Sequence, residues 1–289
     1  MMTGRVLDDT ATGTVAVGDL APRRLGFGAM RISGARTADG VRDRDLARQL
    51  CRRAYERGIT FFDTADIYGY GESEEIIAEA LRPYPDDLVI ATKAGFRPGK
   101  ILPGHHTLPP LGTPEHIRTA CETSLRRLQV DHLDVYQVHT PDPTVPFADT
   151  VGAFVELQQQ GRVRHIGLCN VSVAQLELAR SMCTVVSVQN RYNASDRTHE
   201  DVLRACEQAG IAFLPWQPLE LRAGAAARAV ADVACKTGAT RQQAALAWLL
   251  RRAPVMLPIP GTSQLSHLDS NVDAAWATMT DDDYDAIDA

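Results

Sequence analysis

The sequence predicts an α/β chain of the (β/α)8, or TIM-barrel, class, and three observations predict it. Eight short apolar runs of strand length recur along almost the whole chain. Longer segments with helical spacing and helix-start residues lie between them, the alternation expected of parallel βα units. No Gly-x-Gly-x-x-Gly follows the first run and no Walker A pattern occurs; the nearest stretch, Gly26 to Arg31, lacks the third glycine. An open, doubly wound dinucleotide-binding sheet is therefore the weaker fit.

In chain order, residues 14–17 alternate and run into Gly18-Asp19, which suits a short N-terminal β-hairpin placed to plug the barrel floor. The strand candidates follow at 24–28, 60–62, 88–92, 133–138, 163–169, 185–189, 211–216 and 255–259. Barrel strands are covered on both sides and need no polar face, which explains their near-continuous apolar character. Thr113-Pro114 opens one intervening helix, and Ser172-x-x-Gln175 and Thr240-x-x-Gln243 are capping-box patterns. Two helical segments, 224–236 and 240–252, separate the seventh and eighth runs, so an extra helix enters there. A further helical segment through Asn271 to Ala277 follows the last run. Nothing reads as a linker, and a single domain over residues 1–289 is expected.

Composition agrees. With 289 residues, 45% of them hydrophobic and 23% charged, the chain can bury a full core. Length alone gives a prior of about two domains, but α/β barrels use this length for one. Thirty basic against 36 acidic residues leave a net charge of −6 without any basic block, so nucleic acid is not an expected partner. No 18-residue apolar stretch exists, and Asp8, Asp9 and Asp19 occupy the region where a signal peptide needs an apolar segment. A cytoplasmic protein without a membrane partner is expected. The six cysteines, at 51, 121, 169, 183, 206 and 235, show no zinc spacing and read as buried, reduced thiols. His105 and His106 sit in a Pro/Gly-rich stretch without a nearby carboxylate or cysteine, which reads as a solvated loop, and no metal is expected.

Barrel chemistry collects at the C-terminal strand ends. Asp63 follows the second run, with Tyr68 five residues later; Lys93 follows the third and His139 the fourth. Singly, each has an ordinary structural reading as turn, core or solvated residue. Together they suit proton donation, because a phenol of ordinary pKa about 10 needs help near neutrality. An ammonium at Lys93 would lower the Tyr68 pKa, Asp63 would hold that ammonium, and His139 would hydrogen-bond the substrate oxygen. The four roles fit a carbonyl reduction. On the other half of the rim, Asn170 and Gln189 could bond a carboxamide while Trp216 stacks on its ring, as for a nicotinamide. Gly261, Thr262 and Ser263 precede a helix and offer backbone N–H groups and hydroxyls to a cofactor phosphate, although an ordinary helix cap uses the same residues.

These residues resemble the aldo-keto reductase family over almost the entire chain. The resemblance is carried by Phe62-Asp63-Thr64-Ala65-Asp66-x-Tyr68-Gly69, Ala91-Thr92-Lys93, Asp134-Val135-Tyr136-Gln137-Val138-His139 and Ile259-Pro260-Gly261-Thr262. The stretches Gly26 to Arg31, Gly71-Glu72-Ser73-Glu74, His165-Ile166-Gly167-Leu168-x-Asn170 and Val188-Gln189-Asn190-x-Tyr192-Asn193 follow the family's order as well. It implies a (β/α)8 barrel that binds NADPH without a Rossmann domain and reduces small aldehydes or ketones, with Asp63, Tyr68, Lys93 and His139 as its tetrad. It also implies that Asn170, Gln189 and Trp216 flank the nicotinamide, Trp216 standing where the family usually has Tyr. Gly28, Met30, Gln217, Leu219, Gly261, Thr262, Ser263, His267 and Asn271 match positions around the cofactor.

The sequence departs from the family pattern at Cys169, commonly Ser, and at Gln264 and His267, where NADPH-preferring members often carry an arginine. Some members also carry lysine where Gly261 stands. Neutral side chains cannot copy a bidentate arginine–phosphate grip, so NADPH is expected with tolerance of NADH. Stretches 80–93, 189–193 and 245–251 are similar to those of bacterial pyridoxal reductases (pyridoxine 4-dehydrogenases), making pyridoxal one candidate substrate. The substrate itself depends on rim loops, chiefly 94–112. Two other classes compete: a nucleotide-binding redox sensor akin to ion-channel auxiliary subunits, and a metal-dependent hydrolase using His105, His106 and His139.

Overall fold

A computed structural model describes residues 4–35, 40, 43–97 and 108–289. Seven strands form one sheet in chain order, each parallel to the next. They are β1 (Phe27–Gly28), β2 (Phe61–Asp63), β3 (Val89–Ala94), β4 (Leu133–Val138), β5 (Val163–Cys169), β6 (Val185–Gln189) and β7 (Ala212–Phe213). A one-turn helix α1 (Asp9–Thr12) precedes them. The connections carry α2 (Arg44–Glu56), α3 (Glu72–Leu81), α4 (Pro114–Leu128), α5 (Phe147–Gln159), α6 (Val173–Arg180) and α7 (Glu200–Ala209). After β7 come α8 (Ala225–Thr237), α9 (Arg241–Arg252), α10 (Leu265–Asp273) and α11 (Asp281–Asp288). Ser172 with Gln175 and Thr240 with Gln243 form reciprocal capping boxes at α6 and α9, whereas Thr113 makes no side-chain cap and α4 starts on Pro114.

The run at 255–259 is not a continuous strand, which corrects the sequence expectation. Pro258 and Pro260 have no N–H to donate, so the segment makes scattered bonds only. On one side Phe213 N donates to Val255 O and Leu257 N to Phe213 O, both at 2.8 Å; on the other, Gly26 N donates to Pro258 O at 2.9 Å and Gly28 N to Pro260 O at 3.3 Å. Both edge strands of the sheet are thus bonded to it. The runs at 24–28 and 211–216 also shorten. Arg24 turns out to bond the last carbonyls of α9, Leu250 O at 2.6 Å and Ala253 O at 2.5 Å, and Pro215 interrupts the ladder after β7.

Strand alternation sorts the apolar side chains into two clusters. Phe61, Val89, Ala91, Val135, Ala212, Leu214, Leu257 and Ile259 pack together on the concave face of the sheet, joined from below by Val15 and Val17. Phe62, Ile90, Tyr136, Val138, Ile166 and Val188 point the other way, into the helical layer. Antiparallel bridges Thr14–Arg23 and Val17–Leu20 hold the N-terminal segment in place, and Asp19 at its tip bonds Arg164 and His165 of β5, each at 2.6 Å. Period two then fixes what comes next on the concave face. Asp63 follows Phe61, Lys93 follows Ala91, Gln137 and His139 follow Val135, and Trp216 follows Leu214. No helix among the described residues is long and apolar enough to cross a membrane.

Candidate active site

Lys93 is fully buried and uses its ammonium three ways: it donates to Asp63 Oδ2 at 2.7 Å, to the Thr64 carbonyl at 2.8 Å and to Tyr68 Oη at 3.4 Å. Asp63 Oδ1 accepts from Gln189 Nε2 at 2.8 Å and Gln137 Nε2 at 3.2 Å. His139 meets the Tyr68 ring edge-to-face, 5.9 Å between centroids, with Phe96 on another side at 4.7 Å. The four residues expected to act together therefore lie in one place.

Tyr68 rides on the loop between β2 and α3, and that loop is tied back at several points. Thr64 N donates to Ala91 O at 2.8 Å, Asp66 N to Lys93 O at 3.2 Å, and Arg127 Nη1 to Asp66 O at 3.3 Å. Gly69, Tyr70 and Gly71 are all left-handed, with φ of 60°, 63° and 88°, so the chain reverses sharply just after the phenol.

Burial decides the electrostatics. It pushes the Tyr68 phenol up to about 12, with the nearby Lys93 charge only partly offsetting it. Lys93 does lower the phenol, as expected, but loss of water around the phenolate outweighs one ammonium 3.4 Å away, so the net displacement is upward. For Lys93, burial alone would favour the neutral amine, but the Asp63 charge reverses the sign and raises the group, so it stays an ammonium. Burial, then the Lys93 charge, holds His139 well below the usual imidazole range. It is neutral at pH 7, and its Nδ1 is buried without a partner.

The predicted cofactor side is placed differently from a simple amide pair. Asn170, left-handed at φ 57°, donates from Nδ2 to His139 O and accepts the Trp216 Nε1–H at Oδ1, each at 2.9 Å. Gln189 donates its Nε2 to Asp63. Both amide nitrogens are thus already bonded to protein, while Gln189 Oε1 accepts no hydrogen bond among the described residues. Trp216 is half-buried, with the Arg191 guanidinium 5.5 Å from its centroid. Gln217 is exposed and left-handed at φ 52°, Leu219 half-buried, and Met30 is 54% exposed on the turn after β1.

Gly28 and Gly261 lie back to back. A Cβ on Gly28 would sit 2.5 Å from Ile259 O, and one on Gly261 2.6 Å from Gly28 O, so close backbone approach by itself demands glycine at both. Thr262 Oγ1 accepts from Gln264 N at 3.0 Å, ahead of α10, whose first turn has no side-chain cap. Ser263 is half-buried, His267 exposed and Asn271 buried on that helix. An open acceptor, a half-buried aromatic plate and an uncapped helix N-terminus form a set that fits an amide-bearing ring joined to phosphate. His105 and His106 lie outside the described residues. Among the described residues, no group of three or more His, Cys, Asp and Glu side chains could hold a metal ion.

Gln137 was singled out only as part of a motif, yet it bonds Asp63 directly. Its signal was available: it stands two residues before His139 and so shares its strand face.

The chain belongs to the aldo/keto reductase family, whose model matches residues 24–289, and it is an NAD(P)-dependent oxidoreductase. It is 37% identical over 284 residues to the pyridoxine 4-dehydrogenase of Escherichia coli K12, covering 96% of this chain and 98% of that one. An uncharacterized oxidoreductase of Schizosaccharomyces pombe is 41% identical over 283 residues, covering 98% of this chain and 91% of its own. Among solved structures, an aldo-keto reductase from Klebsiella pneumoniae in complex with NADPH superposes with a TM-score of 0.79 at 26% identity, covering 99% of this chain and 95% of that one.

Proposed function

We propose that this chain is a single closed (β/α)8 barrel that reduces a small aldehyde or ketone with NADPH, Tyr68 being the general acid. The observation that carries the reading is the unbroken chain Asp63–Lys93–Tyr68, with neutral His139 against the edge of the phenol. A phenol pushed up to about 12 holds its proton at pH 7, which is the state a proton donor needs. When Tyr68 gives that proton to the substrate oxygen, the Lys93 ammonium stabilises the phenolate left behind, and Asp63 keeps Lys93 charged. His139 orients the substrate oxygen by hydrogen bonding. Bound NADPH supplies the hydride.

Trp216 and Gln189 Oε1 would hold the nicotinamide, with Asn170 fixing the Trp216 plane. Gly28, Met30, Gln217, Leu219, Gly261 and Asn271 would line the path to the α10 N-terminus, where Thr262 and Ser263 meet phosphate. With Gln264 at the N-cap position of α10 and His267 on its first turn in place of an arginine, NADH is tolerated. The pyridoxine 4-dehydrogenase relative supports pyridoxal as the first substrate to test.

The deciding experiment is reduction of pyridoxal and a panel of simple aldehydes with NADPH and with NADH, by wild type and Tyr68→Phe. General acid catalysis is worth about 10²–10⁴-fold, so Tyr68→Phe should lose at least about 10²-fold in kcat and keep its NADPH affinity. Undiminished turnover refutes the assignment. Tight NADPH binding by the wild type with no carbonyl consumed would instead make the protein a cofactor sensor.

A further inference from the structure

Resting on the reading of Lys93 and Tyr68 above, we infer that Gln137 is a positioning residue: its amide locks Asp63 in the orientation that keeps the Lys93 ammonium aimed at Tyr68. Gln137 is fully buried on β4, one inward layer below His139. Its Nε2 donates to Asp63 Oδ1 at 3.2 Å and its Oε1 receives the Cys169 thiol at 3.6 Å. The thiol contact sets the direction of the amide. Were it turned over, two oxygens would face each other at Asp63 and the thiol would lose its acceptor. With Gln189 on the same oxygen at 2.8 Å and Lys93 on Oδ2 at 2.7 Å, the Asp63 carboxylate is held from three sides and cannot rotate away from Lys93.

The neighbouring strand makes room for this arrangement. Gly167 on β5 pairs with Gln137 in the ladder, and a Cβ there would lie 2.9 Å from Gln137 Cγ and 2.3 Å from Ser187 Oγ. Any side chain at 167 would push the amide off Asp63.

Tyr68 receives the longest of the three Lys93 bonds, 3.4 Å against 2.7 Å to Asp63 and 2.8 Å to the Thr64 carbonyl, so a small rotation of Asp63 that draws Lys93 Nζ with it breaks the contact with the phenol first. The titratable groups that act on Lys93 are Asp63 from β2, Tyr68 and Asp66 from the following loop, Cys169 from β5 and His139 after β4, and Asp63 is the strongest of those that favour the ammonium.

The test uses Gln137→Met, which keeps the length and loses the donor, with two readouts. The sequence holds three lysines, Lys93, Lys100 and Lys236, so side-chain 15N NMR resolves Lys93 in the cofactor-free protein once Lys93→Arg assigns it. Losing the donor that fixes Asp63 loosens the ion pair by about one charge-assisted hydrogen bond, so Gln137→Met should move the Lys93 ammonium resonance and speed its hydrogen exchange with water about tenfold. Turnover should fall about tenfold, with KM and NADPH affinity within about twofold. Cys169→Ala, which frees the amide to turn over, should move both readouts the same way by less, and Cys169→Ser, whose hydroxyl still donates, should restore them. That pair decides the matter if Gln137→Met does not fold.

A wild-type Lys93 ammonium resonance, exchange rate and turnover in folded Gln137→Met, or with that variant unfolded in Cys169→Ala, overturns the inference. So does a loss of NADPH affinity matching the loss of kcat, which would make Gln137 a wall of the cofactor site. If the wild type reduces no carbonyl, the proposed function fails, and the NMR comparison still decides the role of Gln137.

Discussion

Asp66 offers the sharpest test of how the Tyr68 loop is held. Its carboxyl is 8% exposed and Oδ1 has no partner. Fully buried Glu74 shares the pocket, bonded to Thr92 Oγ1 at 2.7 Å and to Arg127 Nη1 at 3.3 Å. Burial first, and the Glu74 charge second, push Asp66 up to about 7 from an unfolded value near 3.8. Between those two values the folded chain holds a proton that the unfolded chain has lost, so stability falls as pH rises from about 4 to about 7 and is level above that. At 1.36 kcal/mol per pH unit the full penalty is about 4 kcal/mol. Asp66→Asn removes the titrating group while keeping the shape. Urea unfolding of both proteins from pH 5 to pH 8 should show the variant gaining on wild type by roughly 2–3 kcal/mol across that range and levelling off near its upper end. A gap that does not change with pH, or a variant less stable than wild type at pH 8, would refute the account.

Three further outcomes follow from the geometry. Lys93→Met leaves the Asp63 carboxylate buried without its cation and should cost about 3–5 kcal/mol in urea unfolding at pH 7.5; a cost under about 1 kcal/mol would mean the pair is not holding the site. Gly261→Ala drives a methyl group into Gly28 O, and because both sides are backbone it should destabilise by about 1–3 kcal/mol, read as a drop in Tm; an unchanged Tm rejects that packing. Trp216→Ala should weaken NADPH binding about tenfold or more by calorimetry, and Trp216→Phe, which keeps the plate and loses only the Asn170 bond, by less; wild-type affinity in both would remove Trp216 from the cofactor site.

Much of the fold was legible because period-two and period-3.6 patterns are local. The runs at 133–138, 163–169 and 185–189 match β4, β5 and β6 residue for residue, and the patterns at Ser172 and Thr240 became capping boxes. The run at 255–259 misled because its prolines preserve apolar character while removing donors. At the site, the order of the strands was enough to bring Asp63, Tyr68, Lys93 and His139 forward as a group. Lys93 carries a second signal: of 30 basic residues three are lysines, and among the described residues it is the one lysine on a strand.

What the sequence determined by itself was which side chains stand at the strand ends and which face of each strand they share, since alternation along a strand is set by backbone geometry alone. The tertiary structure decided their chemistry. The ionisation of Tyr68 depends on how much water its neighbours exclude, the direction of the Gln137 amide on a thiol 32 residues further along the chain, and the duties of Asn170 on an indole 46 residues away. Solvation and hydrogen-bond partnership belong to atoms that only folding brings together, and no window of sequence contains both members of such a pair.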